Sequence, residues 1–80
     1  MRALLLALSL IAAGPAFAAD DASSCAEGIT MIRDALALNP AESALPKLKK
    51  ALRVAEREQK EGEFDECLDA VGDARKALGQ

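Results

Sequence analysis

Residues 62–78 read Gly62-Glu63-Phe64-Asp65-Glu66-Cys67-Leu68-Asp69-Ala70-Val71-Gly72-Asp73-Ala74-Arg75-Lys76-Ala77-Leu78, and their reading decides the fold. Phe64, Cys67, Leu68, Val71, Ala74 and Leu78 recur at helical steps and fall on one arc, about 120° wide on a helical wheel. Asp65, Glu66, Asp69 and Asp73 lie on the opposite side. The pattern predicts a helix from about Glu63 or Asp65 to Leu78, closed by Gly79. A helix with one apolar side needs others to cover it.

Upstream, Gly62 suits the left-handed position that closes a preceding helix. That helix is expected from about Pro46 to Glu61, with Leu48, Ala51, Leu52 and Ala55 on its apolar side. Lys47, Lys49, Lys50, Arg53 and Arg57 occupy much of the rest. Asn39-Pro40-Ala41-Glu42 suits a brief helical turn before it, because proline fits the first helical position. Asn39-Pro40 also ends an earlier helix, since proline disfavours helical geometry in the residue before it. Cys25, Ile29, Ile32 and Leu36 form that first helix's stripe. Ser24-Cys25-Ala26-Glu27 has the capping-box form and places its start at Ser24, with Asp20 to Ser23 as a polar lead-in. Gly28, a poor interior residue, marks close approach of another helix. Short connections favour an all-α, up-down-up three-helix bundle: a helical hairpin plus an N-terminal helix.

Met1 to Ala18 reads as a signal peptide. Met1-Arg2 is a short basic start, and Ala3 to Ala13 is an apolar run too short for a bilayer, which takes about 20 residues. Gly14-Pro15 breaks it, and Ala16-Phe17-Ala18 has the small-x-small form that signal peptidase reads. Cleavage after Ala18 or Ala19 leaves a single helical mini-domain over 19–80, periplasmic or secreted and without a membrane span. A domain this small seldom holds together through its core alone. Its two cysteines, Cys25 and Cys67, read first as one disulfide in an exported chain. A zinc site wants four ligands, and a thiol redox pair sits as C-x-x-C, so both alternatives are weaker. In an up-down-up bundle the first and third helices are parallel. Both cysteines then sit near first turns at the same end, close enough to join. Closing a loop of about 40 residues stabilises the fold by about 3–4 kcal/mol in the chain-entropy model.

The composition also bounds the chemistry. The chain has no histidine, and no serine has an evident partner to activate it. Enzyme activity is not expected. The net charge is −3, and loss of Arg2 with the leader makes it −4, which argues against nucleic acid as partner.

Charge is segregated along the chain. Lys47 to Arg57 is net basic, whereas Glu61, Glu63, Asp65, Glu66, Asp69 and Asp73 follow with no Lys or Arg between them. Asp65, Asp69 and Asp73 are successive i,i+4 positions, where like charges repel by a few tenths of a kcal/mol per pair. The plain account is a solvated face, or one paired with basic residues of the second helix. Asp65 and Glu66 also suit the positive end of a helix dipole. The other account is a hard-cation site. Clustered carboxylates without histidine or free thiolate suit oxygen-loving ions such as calcium or a lanthanide. An EF-hand is excluded, because its D-x-D-x-D-G run and terminal Glu are absent.

The segment Glu61-Gly62-Glu63-Phe64-Asp65-Glu66-Cys67-Leu68-Asp69, in a small exported helical chain, resembles the periplasmic lanthanide-chaperone proteins of methylotrophic bacteria. The resemblance implies a non-enzymatic accessory protein with a surface metal site of few protein ligands, able to bridge two molecules through the metal. It implies Glu63, Asp65, Glu66 and Asp69 as ligands, with Glu61 and Asp73 in reserve. The partners are then a lanthanide or calcium ion, a metal-bridged homodimer, or another periplasmic protein.

A second resemblance competes. Gly62-Glu63-Phe64-Asp65-Glu66-Cys67-Leu68, followed by Val71 and Ala74, is similar to the turn and second helix of a tetratricopeptide repeat. Ala55 and Glu58 stand where that pattern has its first-helix glycine and aromatic, and one repeat lacks stacked neighbours. This resemblance implies a metal-independent interaction module. Its exposed apolar candidates are Val54 on the second helix and Met31 with Leu38 on the first.

Overall fold

The computed structural model describes residues 16–80, with side chains from residue 20 onward. Three helices follow in order: α1 (Ala16–Ala37), α2 (Leu45–Lys60) and α3 (Phe64–Ala77). No strand occurs among the described residues. The expected leader lies outside them, apart from the backbone of residues 16–18.

Two contacts fix the topology. Cys25 and Cys67 form the expected disulfide, with Cα atoms 5.8 Å apart across a sequence separation of 42 residues. One turn further along each helix, Gly28 meets Val71. Both contacts advance in the same direction, so α1 and α3 run parallel and α2 returns between them. Arg33 of α1 also forms an ion pair with Glu56 of α2. The result is the up-down-up bundle. Its core is made of Cys25, Ile29 and Ile32 from α1, Ala44 from the turn before α2, Leu48, Ala51 and Ala55 from α2, and Cys67, Ala70, Val71 and Ala74 from α3. Ile32 and Leu48 are fully buried, and each burial contributes about 1.5–3 kcal/mol. Leu36, Leu52, Phe64 and Leu78 pack half-buried around that centre.

Local chemistry explains the boundaries. Asn39 adopts φ 56°, the left-handed conformation that asparagine tolerates, and the chain leaves α1 there. A single turn follows, in which Ala44 and Leu45 donate to the Ala41 carbonyl at 2.9 and 3.2 Å. Pro46 then sits in the opening positions of α2, where its missing donor costs nothing. At the far end Gly62 takes φ 78°, Gly62 N–H donates to the Gln59 carbonyl, and Glu63 N–H donates to the Glu58 carbonyl. This is a Schellman closure. Gly79 and Gln80 repeat it at the end of α3, on the carbonyls of Lys76 and Arg75.

The start of α1 differs from expectation. Ser24 is not an N-cap: α1 already runs from Ala16, so Asp20 to Ser23 are helical and Ser24 is an exposed interior residue. A capping box needs its first residue outside the helix. Here the alanines at 16, 18, 19 and 22 are strong helix formers, and nothing after Pro15 breaks the run. Cys25 accordingly sits well inside α1 rather than in its first turn, whereas Cys67 keeps its place in the first turn of α3. The disulfide joins the middle of one helix to the start of another.

Candidate functional sites: two surface grooves

The six acidic candidates are exposed, but they do not converge. Glu61 is the C-cap of α2 and Glu63 the N-cap of α3, where its side chain makes no capping hydrogen bond. Asp65 lies in the first turn of α3 and accepts a hydrogen bond from the Glu66 backbone N–H at 3.0 Å. Glu66, Asp69 and Asp73 line one wall of an open groove between α2 and α3. Among the described residues, no three Asp, Glu, His or Cys side chains are grouped so as to hold a metal ion.

That groove has a volume of about 540 Å³. Lys47 and Lys50 of α2 form its opposite wall, and Ala51, Val54 and Ala70 lie between. The basic and acidic runs seen in the sequence thus face each other across one depression. None of these lysines lies within 4.0 Å of a carboxylate oxygen on the far wall; the ion pairs among the described residues are Arg33–Glu56 and Arg57–Glu58. Both of those pairs are on the surface, where such contacts contribute at most about 1 kcal/mol. Part of the acidic run also has a local role. Asp65 and Glu66 sit at the start of α3, Arg75 and Lys76 at its end, each complementing the helix dipole.

A second groove, about 590 Å³, lies along α1. Met31, Ala35 and Leu38 supply its apolar surface with Pro40 and Leu78, and Glu27 and Asp34 supply its charge. Glu27, Met31, Asp34 and Leu38 are three or four residues apart, so they form a continuous strip on one face of α1. Leu38 is 79% exposed, the one large apolar side chain so exposed among the described residues. Of the exposed apolar candidates expected from the sequence, Met31 and Leu38 line this groove together, whereas Val54 lies in the α2–α3 groove. Leu38 is exposed, but Met31 and Val54 are half-buried. Sequence reading did not place Pro40 and Leu78 beside Met31 and Leu38, because that depends on how the chain turns at Asn39 and on where the end of α3 falls against α1, which no stripe within one helix specifies.

Fold and surface together define a small, disulfide-stapled, all-α bundle with two solvent-open grooves. None of its described helices is long and apolar enough to cross a membrane. No protein-family model, no curated protein and no solved structure matches this chain.

Proposed function

We propose that the chain is an exported, non-enzymatic helical interaction module that takes up a basic amphipathic helix along the α1 groove. The observation that carries this reading is the strip Met31–Ala35–Leu38, continued by Pro40 and Leu78 and edged by Glu27 and Asp34 with no basic residue in the lining. An amphipathic helix lays apolar anchors at i, i+3/i+4 and i+7 into such a groove. Basic residues on its flanks would meet the acidic edge, which favours encounter and fixes orientation. Export is supported by the basic, apolar and small-residue order of Met1 to Ala18, and by a disulfide of the kind that persists in oxidising compartments. A non-enzymatic role is supported by a sequence without histidine and by grooves that lie open to solvent rather than deep and dry.

The test uses two synthetic amphipathic helices with the same leucine ridge, one flanked by lysine and one by glutamate. Titrated into isotope-labelled protein with excess chelator, the lysine-flanked peptide should shift the amide resonances of Glu27 to Leu38 and of Leu78. Leu38→Asp should abolish those shifts. Equal response to both peptides, or shifts spread over every face, would sink the reading.

The competing proposal is a hard-cation site, lanthanide or calcium, at Glu63, Asp65, Glu66 and Asp69, as the lanthanide-chaperone resemblance implies. The exposure of all four carboxylates supports it. It ranks second because Glu66 and Asp69 share their groove with Lys47 and Lys50, whose charge opposes a bound cation.

A further inference from the structure

Met31 lies within the α1 strip, with Glu27 one turn before it and Asp34 and Ala35 one turn after. It is half-buried, resting against the edge of the core without belonging to it, and it lines the solvent-open groove. The other side chains that mild oxidants attack are absent or sealed. The chain has no histidine, tryptophan or tyrosine, and its two methionines are Met31 and Met1, which falls in the expected leader. Both cysteines are joined in the disulfide and fully buried. Among the described residues, the Met31 thioether is therefore the readily oxidised group that a small oxidant can reach.

We propose that Met31 is a modification site, converted by hydrogen peroxide to the sulfoxide, and that this conversion weakens docking in the α1 groove. The effect on docking rests on the proposed function; the assignment of the site does not. A sulfur lone pair attacks one peroxide oxygen. The S–O bond forms as the O–O bond breaks, and the second oxygen leaves as water with both protons. Sulfur gives up two electrons and the peroxide takes them, so no further reactant is needed. Hydrogen peroxide is neutral, and the carboxylates of Glu27 and Asp34 do not repel it. The product replaces a flexible apolar side chain with a polar one. A docked helix would have to strip water from the new oxygen, which costs unless a donor replaces it. The neighbouring side chains of α1 supply none. Glu27 and Asp34 are acceptors, and the Thr30 hydroxyl already donates to the Ala26 carbonyl at 3.2 Å. The fold itself should tolerate the change, because Met31 is outside the buried core.

The experiment treats exported, disulfide-bonded protein with hydrogen peroxide and follows it by intact mass, peptide mapping and amide resonances. One oxygen should be added, at Met31, at a rate within about tenfold of free methionine, because reactivity follows exposure. Resonance changes should stay near Glu27 to Leu38 and Leu78, with helical circular dichroism unchanged. The oxidised protein should bind the lysine-flanked peptide about tenfold or more weakly than the untreated protein. Met31→Leu should gain no oxygen, and its own affinity for the peptide should be the same before and after peroxide. Oxidation at Met31 more than about a hundredfold slower than free methionine would overturn the site, since it would mean a shielded sulfur. Oxidised protein that binds the peptide as well as untreated protein would overturn the effect on docking. Untreated protein that binds no peptide would instead remove the proposed function and the docking effect with it, while rate and position of oxidation still decide the site.

Discussion

Gly28 and Val71 pack so closely that a β carbon on residue 28 would lie 2.5 and 2.6 Å from the two γ carbons of Val71 and 3.1 Å from its Cβ. A change of Val71 rotamer relieves at most part of that overlap, because the Cβ itself is too near. The disulfide one turn away holds the same two helices together.

Gly28→Ala therefore sets two effects against each other. Alanine gains about 1 kcal/mol of helix propensity over glycine. Overpacking costs about 1–3 kcal/mol, and here separation of the helices is resisted by the staple. The overlap wins, with an expected net loss of about 1–2 kcal/mol in denaturant unfolding. In a Val71→Ala background the same substitution should be neutral or stabilising, which a double-mutant cycle measures. Gly28→Ala as stable as wild type with Val71 present would contradict the close contact.

Gly62 and Gly72 should respond to alanine with opposite signs. A β carbon meets nothing within 4 Å at either position, so packing does not separate them. The backbone does. Gly62 sits at φ 78° in the closure of α2, where an L side chain costs about 1–2 kcal/mol. Gly72 lies inside α3, where alanine gains about 0.5–1 kcal/mol. Gly62→Ala should lower the melting temperature and Gly72→Ala should raise it. Shifts of the same sign would show that a factor other than backbone geometry governs these positions.

The disulfide accounts for a large part of the stability of so small a domain. Its loop of 42 residues is worth about 4 kcal/mol in the chain-entropy model, against a total of about 3–10 kcal/mol expected for a chain this size. Both cysteines are fully buried. Reductant and thiol reagents should therefore reach them only through opened states. Native protein should show no titratable thiol and resist mild reductant. Addition of denaturant should make reduction rapid, and the reduced form should melt at a clearly lower temperature. Rapid reduction in native buffer would mean that the Cys25–Cys67 region opens far more readily than its burial implies.

Much of the fold was legible because its signals are local and repeated. The stripes of Ile29–Ile32, Leu48–Ala51–Ala55 and Cys67–Val71–Ala74 give three helices, and Gly62 and Gly79 mark two of the ends. The start of α1 was not legible, because Ser24-Cys25-Ala26-Glu27 has capping chemistry that an uninterrupted helix from Ala16 does not use. Ala44 and Ala70 also escaped notice as core residues. Alanine carries little hydrophobic signal, and its burial reflects how closely the backbones approach. The acidic line on α3 was visible on a helical wheel. Its setting opposite Lys47 and Lys50 depends on the register of two helices, which no periodicity within one of them specifies.

That setting makes the metal question decidable. If Glu63, Asp65, Glu66 and Asp69 form a hard-cation site, lanthanum should raise the melting temperature by mass action, and calcium should do so less because of its lower charge. Asp69→Asn should weaken the effect, whereas Asp34→Asn on α1 should leave it unchanged. The arrangement seen here leads to the opposite expectation. Glu63 and Asp65 do not line the groove to which Glu66, Asp69 and Asp73 belong, and Lys47, Lys50 and Lys76 line that same groove. A cation entering that groove would find three carboxylates set against three ammonium groups, with little net attraction to offset the loss of its hydration. Micromolar lanthanum should thus leave both the melting temperature and the sedimentation of the disulfide-bonded protein unchanged. A stabilisation that saturates at one ion per chain, or per pair of chains, and is lost in Asp69→Asn would reverse the ranking of the two functional readings. It would also show that Glu63 and Asp65 can swing toward α3's groove, since the carboxylates already lining it leave much of a lanthanide's coordination unfilled.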